Sequence, residues 1–423
     1  NEDLRIFAVD NVMTLEVEVD AIYLSSNNWF GETLLDEDIE YDDQALLQKL
    51  NNDPQLARSA GYGANMVDRI IQQEKPDVYI GAEDIWAFNG YTKRNWWNKT
   101  NCMIWTTLDS LPILPDAVAA AADIKNYYVW ASFAEKALHD LGHKHVKTLH
   151  GSVDCEKFSR LDDKKRAELR QYHNIPQNAY IIGFVFRNQL RKSVPNLLEG
   201  FRIFKEKNPS TKAKLLFHTS WAEGWDIPRL LKEKNIESED VLTTYCCENC
   251  GNYVVKKFSG HKADCEHCKT KNSQSTPNVR VGASDEQLNE IYNLMDVYCH
   301  PFTSGGQEIP VQEAKLTELI TLVTNYSCGE DSCSEESAGL PLNWSEYREP
   351  GTQFIKASTS AEHISRQLTK VLKMKPNKRA DAGKKARNYV IKNYGIEVIG
   401  KKLESIIDRM PLPVWDFDLT EEP

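Results

Sequence analysis

Short apolar runs alternate with segments of helical periodicity along most of this chain. The runs include PDVYIGA from Pro76, NCMIWTTLD from Asn101, YYVWAS from Tyr127, YIIGFVFR from Tyr180, KLLFHTS from Lys214, VYCHPF from Val297 and ITLVTN from Ile320. Continuous apolar runs of this length suit strands covered on both faces. Between them, SFAEKALHDLG from Ser132 and VPNLLEGFRIFKEKN from Val194 carry the period of amphipathic helices. Strand and helix in alternation predict parallel βαβ units, hence an α/β fold. No strand, glycine-rich loop and helix is legible at the start, and no repeat of solenoid length is evident.

At 423 residues the chain exceeds what one core supports, so two lobes are expected. The 51 basic and 62 acidic residues leave a net charge of -11, which excludes a nonspecific nucleic-acid binder held by a general positive field and leaves room for a local basic patch. Neither a long apolar span nor a charged-apolar-small leader is present, so a soluble, cytoplasmic protein without a membrane span is expected. The chain opens at Asn1 rather than Met, consistent with a divergent first unit or a missing natural start.

The ten cysteines include two C-x2-C knuckles, Cys247 with Cys250 and Cys265 with Cys268. Two such knuckles can supply four thiolates to one structural zinc with no open position, and this favours a reducing compartment. Cys246, His261 and His267 are alternative ligands that the knuckles make unnecessary. Lys256, Lys257, Lys262, Lys269 and Lys271 flank the site. They form either a docking patch for an acidic acceptor or the solvated surface of a scaffold.

The densest candidate chemistry lies in DVYCHPFTSGGQEIPVQEAKLTELITLVTN, from Asp296 to Asn325. A strand ending at Pro301 leads to the Gly305-Gly306 turn, where backbone amides can approach a phosphate or sugar. Pro310 and Val311 then open a helix whose first turn holds Glu313, an acceptor suited to ribose hydroxyls. Here the chain resembles the retaining glycosyltransferases of family 4, which show the pattern EGFGLPxxEA. Aligning Pro310 and Glu313 with it puts Gly305 where the family has the first glutamate of its Glu-x7-Glu pair, and Glu308 at the second glycine. The resemblance thus implies a ribose contact at Glu313. With the first glutamate missing, the amides of Gly305, Gly306 and Gln307 are expected to cradle sugar or phosphate while Glu308 contacts a sugar hydroxyl.

GFVFRNQLRKSVPNLLEGF resembles the family's Gly-Arg, short loop, Lys-Gly signature, which implies that Arg187 and Lys192 face the diphosphate of a nucleotide sugar. Read alone, Arg187, Arg191 and Lys192 are equally solvated loop charges. YYVWASFAEKALHDLGHKHVKTLHGSVDCEKF resembles the family's passage into its second lobe, with a linker near residues 154–176. The zinc knuckles then fall in an insertion before a strand VRVGAS from Val279. Asp109 lies where family members carry a polar pair facing the acceptor; it is a candidate base or a helix cap. Gly61 and Gly63 form a weak G-x-G turn. His150 and His300 fit satisfied core or strand-end positions, and Trp86, Phe88, Trp96 and Trp97 fit core packing or a stacking platform.

The expected architecture is two Rossmann-like parallel-sheet lobes facing a cleft, of the double-Rossmann (GT-B) type. The lobes are residues 1–172, for the acceptor, and 173–395, for the nucleotide sugar. A zinc ribbon occupies 245–276, and a helix with its tail, 396–423, returns to the first lobe. Family resemblance implies transfer from a nucleotide-diphosphate sugar with retention and no catalytic metal, to a saccharide, protein or modified nucleic-acid acceptor. Asp109 and Glu308 are the candidate catalytic groups. The alternative is a noncatalytic transferase-like scaffold whose ribbon recruits a partner.

Overall fold

The computed structural model of the chain describes residues 6–9 and 67–415, so Gly61 and Gly63 lie outside the described residues. The chain divides into two compact units, one of residues 1–108, 113–149 and 400–423, the other of 109–112 and 150–399. Among the described residues no helix is long and apolar enough to cross a membrane.

In the first unit β1 (Ile6–Val9), β2 (Val78–Gly81), β3 (Asn101–Thr106), β4 (Asn126–Val129) and β5 (Lys147–Thr148) form a parallel sheet in chain order. At the opening a strand, β1, does form, too short to show in the pattern; the rest of the unit read there lies outside the described residues. Ser132–Asp140 is helical as its periodicity requires, with Phe133, Ala134 and Leu138 buried. Trp96 and Trp97 are buried, Trp96 meets Tyr79 edge-on at 5.1 Å, and its indole N–H donates to Asp68 at 2.6 Å. That is core packing.

In the second unit β6 (Tyr180–Val185), β7 (Ala213–His218) and β8 (Val241–Cys247) run outward on one side. The short strands β9 (Tyr253–Lys257) and β10 (Gln274–Ser275) pair antiparallel with β8. On the other side β11 (Val297–His300), β12 (Thr321–Thr324) and β13 (Leu340–Leu342) follow β6, and the hairpin of β14 (Trp344–Arg348) with β15 (Ile355–Thr359) stands apart. The parallel strands lie in the order β8-β7-β6-β11-β12-β13. Strand order reverses between β6 and β11, and in open α/β sheets ligands bind outside the carboxyl ends at such a reversal.

Two expectations change here. Residues 154–176 carry a helix, Asp163–Tyr172, where a linker was expected. Its charges are engaged: Arg170 is buried, donating to the Leu294 carbonyl and to Asp296, each at 2.8 Å, and Arg166 donates to the Asn293 carbonyl at 2.9 Å. Guanidinium groups thus satisfy the carbonyls left open at the end of helix Asp285–Asn293. The strand expected at Val279 does not form. Val279 is 87% exposed, and the Asn278 side chain accepts the N–H groups of Arg280 and Val281, a local turn that competes with a ladder.

Candidate functional site

The loop leaving β6 is fixed by Asn188. Its buried amide donates to the carbonyls of Ser220 and Trp225 at 3.1 and 3.0 Å and accepts the Trp225 N–H at 3.0 Å. With Asn188 turned inward, Arg187 is exposed at the strand end. Three residues beyond Asn188, Arg191 donates from Nε to Gln189 at 3.2 Å and from Nη1 to Glu308 Oε1 at 2.7 Å. Lys192 is buried and pairs with Glu308 Oε2.

The turn after β11 supplies that carboxylate. Glu308 stands immediately before helix Ile309–Leu316, yet its side chain does not cap the helix. It turns inward to Arg191 and Lys192, and its Oε2 lies 2.8 Å from His300 Nε2. Burial pushes the carboxyl up, and the Lys192 ammonium, His300 and Arg191 together outweigh it and hold Glu308 well below the usual carboxylate range. His300 is the satisfied strand-end histidine the sequence suggests, between the Tyr298 hydroxyl at 2.9 Å and Glu308. Gly305 makes room for this arrangement: a Cβ there would stand 2.6 Å from Glu308 Oε1 and 3.3 Å from Arg191 Nη1.

The Gly305 N–H donates to the Ser327 hydroxyl at 3.1 Å, so it is engaged within the protein. The Gln307 side chain is engaged too, exchanging two 2.8 Å hydrogen bonds with the backbone of Gly151. Among the described residues the N–H groups of Gly306 and Gln307 have no hydrogen-bond partner, and they stand just before the eight-residue helix Ile309–Leu316.

Glu313 lies on that helix, half-buried, accepting the Tyr292 hydroxyl at 2.6 Å. Burial pushes its carboxyl up to about 7 against the pull of the Tyr292 hydrogen bond. Asp109 is exposed, and its charge reaches both Arg191 and Lys356. Beside it is a cluster that sequence reading missed. The buried Lys356 ammonium donates to Ser110 at 2.8 Å and Ser304 at 2.7 Å, and the two hydroxyls are 2.8 Å apart. Its residues lie at 110, 304 and 356, too far apart in sequence for any local motif to announce them.

The structure therefore brings Arg191, Lys192, Gly305 and Glu308 together at the strand-order reversal, with Asp109 in electrostatic reach of Arg191. No family profile and no curated protein matches the sequence. Solved structures do match. Anabaena HepE in complex with UDP superposes with a TM-score of 0.63 at 12% identity, covering 96% of this chain and 100% of that one. The glycosyltransferase of Rickettsia africae gives 0.56 at 15%, over 82% and 80% of the two chains. Sucrose-phosphate synthase of Thermosynechococcus elongatus gives 0.57 at 14%, over 82% and 77%. The chain has a glycosyltransferase fold. HepE has also been solved with UDP-glucose.

At the end of β8 begins a four-cysteine cluster that could hold a metal ion. The four sulfurs of Cys247, Cys250, Cys265 and Cys268 lie within 4.8 Å of one another, with Cys247 to Cys268 at 3.7 Å and Cys250 to Cys265 at 3.8 Å. A tetrahedron of thiolates at the usual zinc distance has an edge of about 3.8 Å. The knuckles repeat one geometry. Cys247 N–H donates to the Asn252 carbonyl at 2.9 Å and Cys265 N–H to that of Thr270 at 3.0 Å, with left-handed residues at Gly251 (φ 68) and Lys269 (φ 61). Cys246, His261 and His267 stand outside the cluster. Of the flanking lysines, Lys257 pairs with Glu239 at 2.8 Å, Lys262 with Glu248 at 3.2 Å, and Lys256 lies over the Tyr245 ring.

Proposed function

We propose that this chain transfers a sugar from a nucleoside diphosphate sugar to an acceptor hydroxyl, with retention at the anomeric carbon. The observation that carries the proposal is the convergence, at one strand-order reversal, of a cationic loop after β6, open amides after β11 and a half-buried Glu313 on the following helix. Glu313 receives the ribose hydroxyls. Solvent-facing cations of the 187–192 loop, with the amides of Gly306 and Gln307, receive the diphosphate, whose negative charge grows as the glycosidic bond breaks. The C1–O bond to phosphate breaks and a C1–O bond to the acceptor forms on the same face. The acceptor proton passes to the departing phosphate oxygen. Asp109, exposed beside this cluster, orients the acceptor hydroxyl.

UDP is the nucleotide to try first, because HepE has been solved with UDP and UDP-glucose. Cys247, Cys250, Cys265 and Cys268 hold a structural zinc. Pairing of Lys257 and Lys262 with acidic neighbours favours a scaffold over an acceptor-docking patch. The carboxylate of Glu308 among the loop cations supports a second reading, a noncatalytic nucleotide-binding scaffold. One assay separates the two. Incubation with UDP-sugars is followed for UDP release, with hydrolysis to water counted as turnover. Release that is lost in Glu313→Ala supports transfer, whereas nucleotide binding without turnover of any donor supports the scaffold.

A further inference from the structure

We propose that Arg191, rather than Lys192, is the cation that meets the diphosphate, and that Lys192, Glu308 and His300 form a buried layer holding its guanidinium in place. The proposal rests on the donor-site reading above.

Exposure separates the two cations. The Arg191 side chain is 38% exposed and that of Lys192 5%, while Glu308 and His300 are buried. Hydrogen bonds divide them the same way. The Lys192 ammonium turns inward and donates to Glu308 Oε2, whose other neighbour is His300. Arg191 uses Nε on Gln189 and Nη1 on Glu308, which leaves Nη2 without a partner among the described residues. A planar guanidinium held at two of its three nitrogens has a fixed plane, so the N–H groups of Nη2 point in a set direction, suited to a phosphate oxygen.

Charge gives the same division. Arg191, Lys192 and Glu308 together leave one net positive charge, and Arg191 is the cation of the group that reaches solvent. Backbone contacts fix it further, because Thr303 N–H donates to the Arg191 carbonyl at 2.7 Å and ties the turn after β11 to the loop after β6. Gly305 completes the layer, since any Cβ there would collide with Glu308 Oε1. For Lys192 to reach a phosphate, its buried ammonium would have to turn away from Glu308. Arg191 needs no rearrangement. Glu308 acts here through Arg191, as a positioning residue.

The test compares UDP and UMP affinities by calorimetry for wild type, Arg191→Gln and the paired Lys192→Gln/Glu308→Gln. Loss of a charged phosphate contact should lower UDP affinity by about 10- to 100-fold in Arg191→Gln. It should also collapse the preference for UDP over UMP. The paired variant removes no net charge and should keep that preference. A loss of preference in the paired variant as large as in Arg191→Gln, with the unfolding midpoint unchanged, overturns the assignment.

Should the paired variant fail to fold, labelling of the wild type decides. Phenylglyoxal should modify Arg191 and UDP should protect it, while amine reagents leave Lys192 untouched with or without UDP. Lys192 labelled alone and shielded by UDP overturns the proposal. Wild type that binds no nucleoside diphosphate overturns the donor-site reading itself, and this assignment with it.

Discussion

The Tyr292 hydroxyl donates to Glu313 Oε2 across 2.6 Å, holding a carboxylate in the second turn of the helix that follows β11, not in its first turn as the sequence suggests. Burial pushes Glu313 up to about 7, the Tyr292 contact lowers it and the Asp285 charge raises it again. Its ionised fraction therefore grows between pH 6 and pH 8. Ribose hydroxyls donate best to the ionised form, so nucleotide affinity should rise across this window. Glu313→Gln should flatten the rise, as read by titrations at several pH values.

The same shift has a signed effect on stability. The folded value, about 7, lies above an unfolded value of about 4.3. Between them the folded chain binds more protons, so the contribution is full below the lower value and is lost as pH rises to the upper one. Glu313→Gln should therefore stabilise the apoprotein more at pH 8 than at pH 5 in urea unfolding. An equal effect at both pH values would contradict the raised titration.

Gly305→Ala should disturb the buried layer. The added methyl lies 2.6 Å from Glu308 Oε1, a group pinned by its own contacts with Arg191, Lys192 and His300. Overpacking of this kind costs about 1 to 3 kcal/mol. Urea midpoints measure it, and a neutral result would mean that the carboxylate moves aside freely.

Native mass spectrometry should find one zinc per chain, lost in Cys250→Ser. Hydrogen exchange should then quicken over residues 247–275, because metal closure stabilises the knuckles. UDP binding should persist, since the thiol cluster and Glu313 belong to different elements.

Lys356→Met should destabilise the chain by about 1 to 3 kcal/mol, the range for leaving buried polar groups unpaired. A double-mutant cycle with Ser304→Ala should show coupling, as the two are 2.7 Å apart. Strict additivity would remove the contact from the energetics.

What was legible follows from the range of each signal. β2, β3, β4, β6, β7, β11 and β12 showed because their runs are largely apolar and bounded by turn residues. β8 was missed because VLTTYCC mixes threonines into the run, and its last cysteine drew attention as a metal ligand. The cysteine knuckles are local, and their spacing alone was enough to bring the four thiols into one group. The Glu308 cluster is not local. Glu308 meets Arg191 117 residues away in sequence and Lys192 116 away, so no periodicity could pair them. Arg191 reads as a solvated charge because only the folded loop shows which of its nitrogens are held.

The most direct measurement is a calorimetric titration of UDP and UDP-glucose into wild type and Glu313→Ala. Saturable binding to wild type is expected, weakened in the variant by about 1.5 to 3 kcal/mol for the lost charged acceptor. Wild type that binds neither ligand nor any other nucleoside diphosphate, or a Glu313→Ala variant that binds as tightly as wild type, would contradict a nucleotide-sugar site at this helix.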